Sequence, residues 1–112
     1  MHWIHLTDED QLQKIIVRSQ EKPQVIFQYT PGVYLSEIIF QRFQKKCCPE
    51  HIDFHFLDVE TYASISQKIS EVLHLTHRAP QILLVKAGEC IYEDSRPDIC
   101  LELILEHTEV AM

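Results

Sequence analysis

The chain has 112 residues, 46% of them hydrophobic and 24% charged, the balance of a folded domain able to bury roughly two-thirds of its unfolded surface without a metal or disulfide staple. Its net charge of −7, with Lys45 and Lys46 the only adjacent basic pair, excludes the cationic footprint that nucleic acid requires. No apolar run approaches the ~20 residues of a membrane span, and "MHWIHLTDEDQ" lacks the basic and greasy regions of an export signal, so a cytoplasmic protein is expected.

In chain order, Trp3, Ile4 and Leu6 suggest a short first strand. Thr7 followed by Asp10 is a capping-box pattern that opens a helix with Leu12, Ile15, Ile16 and Ser19 along one face. Pro23 breaks this helix, and "QVIFQY" reads as a central strand. After the turn "TPGV" a second helix carries Leu35, Ile38, Ile39 and Phe43 and stops near Cys48-Pro49. "HIDFHFLDV" alternates Ile52, Phe54 and Phe56 against His51, Asp53 and His55, a strand with the three polar residues expected on the solvent side. A third helix from about Thr61 has the stripe Ile65, Ile69, Val72 and Leu73. "PQILLVKAGECIYED" is a hairpin turning at Ala87-Gly88-Glu89, and Pro97 is expected to open a last helix with Ile99, Leu103 and Ile104. The order β-α-β-α-β-α-β-β-α, with no linker or low-complexity segment, predicts one α/β domain over residues 1–112: a thioredoxin-like fold, its central mixed sheet flanked by helices.

Such folds place reactive groups where a strand turns into a helix, yet residues 29 to 37 contain no cysteine, lysine or histidine. The four cysteines stand at 47, 48, 90 and 100 and form no CxxC or zinc-ligand spacing. Vicinal Cys47-Cys48 reads as a helix end rather than a strained redox pair. Cys90 falls in the hairpin and Cys100 in the last helix, where a contact between them is conceivable, although a reducing compartment keeps thiols free. The seven histidines offer no three ligands of convergent spacing, so no metal is expected. His77 reads either as a cationic C-cap of the third helix or as a group facing a substrate. Tyr34 could stack on a ligand or simply pack in its turn. No nucleotide loop and no Ser-His-Asp order occurs, so no cofactor is expected.

As a set, "WIHLTDEDQLQKII", "THRAPQILLVKAGECIYEDS" and Ser36 resemble the YtxJ family of bacterial thioredoxin-fold proteins, described as monothiol bacilliredoxins that remove bacillithiol from mixed disulfides on cytosolic proteins. The family's turn carries a T-C-P-[IV]-S-like motif with a nucleophilic cysteine. Anchored on Ser36, the resemblance puts that cysteine's position on Val33 and the following proline on Tyr34. It also implies a cis-proline at Ala79-Pro80 with a peptide-binding edge beside it, against the ordinary alternative of a trans proline starting a strand. Two functions follow. One is a non-catalytic binding protein in thiol homeostasis with a groove around Tyr34, Ser36, His77, Ala79 and Pro80, taking a protein or peptide partner or a low-molecular-weight thiol. The other is an active thiol-disulfide oxidoreductase with a displaced cysteine, Cys90 or Cys100. Self-association as a homodimer through a sheet edge is a third possibility.

Overall fold

The computed structural model describes residues 1–110, with side chains to 108. The elements are β1 (Ile4–His5), α1 (Glu9–Arg18), β2 (Gln24–Tyr29), α2 (Tyr34–Gln44), β3 (Asp53–Asp58), α3 (Ala63–Leu73), β4 (Gln81–Lys86), β5 (Glu89–Asp94) and α4 (Leu101–Val110). The strands form one sheet in the order β1-β3-β2-β4-β5. β2 runs parallel to β3 and antiparallel to β4, and β1 runs parallel to β3. This is the expected element order.

Two apolar clusters hold the layers together, one on each face of the sheet. On one face Val25, Phe27, Phe54, Ile82 and Leu84 pack with Ile39 and Phe43 of α2 and Ile104 of α4. On the other, Ile26, Leu57, Leu83 and Val85 pack with Leu12 and Ile15 of α1 and Ile65 and Ile69 of α3. Both faces of β2, β3 and β4 are therefore covered, as sheets with crossover helices require.

Four local expectations are corrected. The capping box of α1 is Asp8 with Gln11, not Thr7 with Asp10: the Asp8 carboxylate accepts from the Gln11 N–H, and the Gln11 side chain accepts from the Asp8 N–H in return. Helix α2 ends at Gln44, with Lys45 as C-cap, so Cys47 and Cys48 lie beyond it. His55 is not on a solvent side. The alternation is real, but the polar face of β3 lies under α1, and His55 is 6% exposed with its Nε2 2.8 Å from Gln24 Oε1. Pro97 does not open α4, which begins at Leu101, leaving Cys100 one residue before it. The buried Asp94 carboxylate accepts from the Arg96 N–H and folds this segment into a turn, while the Pro97 carbonyl is taken by Arg42 Nη1 at 2.9 Å. The hairpin turn is two residues, Ala87 and Gly88, both at positive φ (54° and 80°), as a type I′ hairpin demands.

Burial pushes the His55 pKa from 6.5 down to about 4, with Arg18 adding to the effect and Asp53 opposing it. An unfolded histidine takes its proton near pH 6.5 and the folded one only near pH 4. Stability is thus fully present above the upper value and is lost as the pH falls through this window, by about 3 kcal/mol in total. The urea midpoint is expected to drop between these pH values in the wild type, and His55→Gln should flatten that part of the profile.

Candidate functional site: the turn before α2 and the loop before β4

β2 delivers the chain to Thr30-Pro31-Gly32-Val33, a turn closed by the Val33 N–H on the Thr30 carbonyl at 3.3 Å. Pro31 presets the first central position, and Gly32, at φ 79°, supplies the positive φ that a type II turn needs at the second. Val33 is the N-cap of α2, extended at φ −92° and ψ 118°, and its side chain makes no capping hydrogen bond. Tyr34, the first helical residue, is 80% exposed. Ser36 is fully buried, and its Oγ accepts from the Thr30 N–H at 3.2 Å. It ties the turn to the helix and does not line a surface.

Ala79–Pro80 is a cis peptide. It leads into β4, whose Gln81 pairs with Gln28 near the end of β2, so the Ala79-Pro80 loop and the 30–33 turn leave the same end of the sheet. Pro80 is buried and Ala79 half-buried. His77 is exposed and is not the C-cap of α3. That role belongs to His74, which takes a left-handed conformation and turns its N–H to the Ser70 carbonyl.

His77 instead ends a hydrogen-bonded chain that the sequence reading missed. Gln81 Nε2 donates to Glu93 Oε2 (2.9 Å), Gln28 Nε2 to Gln81 Oε1 (2.7 Å) and Ser66 Oγ to Gln28 Oε1 (2.5 Å). Ser66 has one proton and has given it to Gln28, so its 2.9 Å contact with His77 Nδ1 is donated by the ring. All donors point toward Glu93, and His77 is left with its Nε2 lone pair outward, beside a cleft lined by Val59, Ala63, Gln67 and Ser70. The only hint in the sequence is a glutamine in each of two strongly apolar strands, since a buried amide must find partners.

The four thiols are all free, and the strand register places Cys90 away from this end of the sheet. Cys90 pairs with Val85, which pairs with Gln24, five positions back along β2 from Tyr29, or about 16 Å. Burial raises its thiol pKa, with hydrogen bonding to the Tyr92 carbonyl opposing that. Cys100 follows Ile99, whose carbonyl accepts from Arg42 Nη1. Arg42 lies nine helical residues from Val33, about 13 Å along α2. Cys47 and Cys48 lie beyond the C-terminal end of α2, whose N-terminal end carries Val33. Among the described residues no group of three or more His, Cys, Asp or Glu side chains could hold a metal, and no helix is long and apolar enough to cross a membrane.

A five-stranded mixed sheet with four helices, a turn at the head of α2 and a proline loop beside it define a thioredoxin-like fold. The chain belongs to the monothiol bacilliredoxin family BrxC, whose family model matches residues 4–104, and this match makes the protein redox-related. Among solved structures it is similar to a thioredoxin-fold protein provisionally described as an oxidoreductase (TM-score 0.81, 20% identity, covering 94% of this chain and 92% of that one). It is also similar to the thioredoxin Mala s 13 of Malassezia sympodialis (TM-score 0.71, 18% identity, 97% and 96% covered) and to Fasciola hepatica thioredoxin (TM-score 0.70, 17% identity, 92% and 97% covered). No curated protein matches the chain in sequence.

The direction of the hydrogen-bond chain fixes the His77 tautomer as Nδ1–H, opposite to the form free histidine favours in water. In the neutral ring, nitrogen-15 imidazole spectra should show a protonated Nδ1 and a bare Nε2 in the wild type. Ser66→Ala should return the ring toward Nε2–H. An Nε2–H ring in the wild type would contradict the donor order.

Proposed function

We propose that this chain is a non-catalytic member of the bacilliredoxin family, a binding protein of thiol homeostasis that recognises a protein or peptide partner at the end of the sheet bounded by Val33, Tyr34, His77 and Ala79. The observation that carries the reading is the N-cap of α2. A thiol at a helix N-terminus is activated because unpaired N–H groups and the helix dipole stabilise its thiolate. Val33 occupies that place, and a valine neither ionises nor holds a mixed disulfide. The displaced-cysteine alternative is weakened for Cys90, which lies about 16 Å along β2 from the turn and whose thiol pKa burial raises.

Partner binding has positive support as well. Val33, Tyr34 and Ile38 are exposed apolar side chains that run from the turn onto one stripe of α2, the kind of surface that marks an interaction site when its members are contiguous. The half-buried Ala79 segment leaves the same end of the sheet and offers backbone hydrogen bonds to an extended peptide, with His77 on the α3 side of that end. Soluble cytoplasmic residence is part of this proposal.

The test is exposure of the reduced protein to bacillithiol disulfide or glutathione disulfide, with adducts mapped by mass spectrometry. The expected outcome is no adduct faster than on a free-thiol control; a rapid, selective adduct at Cys90 or Cys100 would overturn the reading. In the companion variant Val33→Cys, the new thiol should titrate below the ~8.5 of free cysteine and take up the disulfide selectively. A thiol there that titrates like free cysteine would show that the turn does not present the helix N-terminus.

A further inference from the structure

A second polar feature lies at the opposite end of β2. Between α1 and the β1–β3 edge of the sheet is a cavity of about 140 Å³ lined by Ile4, Gln11, Lys14, Ile15, Arg18, Gln24 and His55. Its floor is His55, buried between Ile4 of β1 and Ile26 of β2, with which it is in register.

The hydrogen-bonding state of that floor is determined. Gln24 Nε2 donates to Asp53 Oδ2 at 2.9 Å and to the Lys22 carbonyl at 3.1 Å, which fixes the amide with its oxygen toward His55. An amide oxygen only accepts, so His55 Nε2 carries the ring proton. His55 Nδ1 is then a bare lone pair with no partner among the described residues, while no buried side-chain nitrogen or oxygen cut off from solvent-sized space is left unpaired. On a side chain only 6% exposed, that lone pair is reached from the cavity. Burial keeps the ring neutral at physiological pH.

The other walls complete a small recognition pattern. Gln11 is spent on the α1 cap and on the His5 carbonyl, so it offers the cavity little. Lys14 has no ion pair among the described residues, and Arg18 has only a 3.4 Å contact with Asp53, a carboxylate that Lys22 holds more closely at 2.9 Å. Ile4 and Ile15 supply an apolar flank. An occupant that satisfies every wall needs an anionic group for Lys14 and Arg18, a neutral hydrogen-bond donor for His55 Nδ1, and a short apolar segment. At about 140 Å³ the space is small beside the ~300–1,000 Å³ of ordinary ligand pockets, which favours a small occupant.

We propose that this cavity is a binding site for a small 2-hydroxycarboxylate of about the size of lactate, its carboxylate paired with Lys14 and Arg18 and its hydroxyl donating to His55 Nδ1. It is separated from the Val33 turn by the length of β2 and is independent of the thiol reading. An ammonium donor is disfavoured by the two cations at the mouth. Inorganic phosphate would meet the cations but leave the isoleucine wall unused.

The experiment is a titration of the full ¹⁵N-labelled chain with L-lactate, following amide and imidazole signals, with propionate and 1,2-propanediol as probes lacking the hydroxyl next to the carboxylate and the carboxylate itself. Saturable shifts at Ile4, Lys14, Arg18 and the His55 ring are expected with lactate. Propionate should bind about tenfold more weakly, because it leaves the buried lone pair unmet. Lys14→Ala, a change on an exposed helical position that should fold normally, is expected to weaken lactate several-fold. Equal binding of lactate and propionate would overturn the role of His55, and unsaturable shifts at tens of millimolar lactate would overturn the site. Phosphate shifting the same signals more strongly than lactate would also overturn it, assigning the place to a simple anion.

Discussion

β2 is buried on both faces from Gln24 to Gln28, and most of this molecule follows from that constraint. Its backbone is satisfied by β3 on one side and β4 on the other, and its apolar side chains Val25, Ile26 and Phe27 anchor both cores. The strand also carries two glutamines into an interior where an unpaired amide would cost kilocalories. Each has to recruit partners, and each does so on the α1/α3 face. Gln24 fixes His55 above the α1 cavity, and Gln28 fixes Ser66 and through it His77. The two ends of one strand thus become two polar sites, with oriented histidines facing different surroundings.

At its C-terminal end β2 also sets where the polypeptide reverses. The Pro31-Gly32 turn and the Ser36 hydroxyl lock the entry to α2, so the helix N-terminus is presented rigidly beside the Ala79-Pro80 loop. Rigidity of this kind suits a nucleophile, but it suits a binding surface equally well. Fold and family membership describe the frame, whereas reaction depends on which atom stands at the N-cap. Here that atom belongs to an isopropyl group, which can neither ionise nor form a disulfide.

Much of the fold was legible because period-two and period-3.6 patterns alternate cleanly and are punctuated by Pro23, Pro31-Gly32, Pro49 and Ala87-Gly88. The candidate turn was legible too, since Pro31-Gly32 separates a strand pattern from a helical one, whereas Val33 and Ser36 were singled out only by the family resemblance. Errors arose where a residue's role depends on something distant in sequence. Pro97 has the chemistry of a helix start, but its carbonyl is claimed by Arg42 from another helix and the buried Asp94 folds the segment first. His77 stands where a cationic cap would be useful, yet His74 closes the helix and frees His77 to meet Ser66. His55 alternates with apolar residues as a surface histidine would, and only the placement of α1 over that face makes it buried.

By itself the sequence determined the element order, the mixed α/β class, the tight turn at the head of α2 and the absence of sulfur in it. These are local properties, written in side-chain period, in proline and glycine positions and in residue identity. Tertiary structure alone decided that Cys90 lies away from that turn, that two glutamines orient two histidines, and that one of those histidines opens into a cavity. Those facts depend on which strands are neighbours and which helix covers which face. A hydrogen bond between Gln28 and Gln81 or between Gln24 and His55 joins residues tens of positions apart, and no local pattern encodes such a pairing.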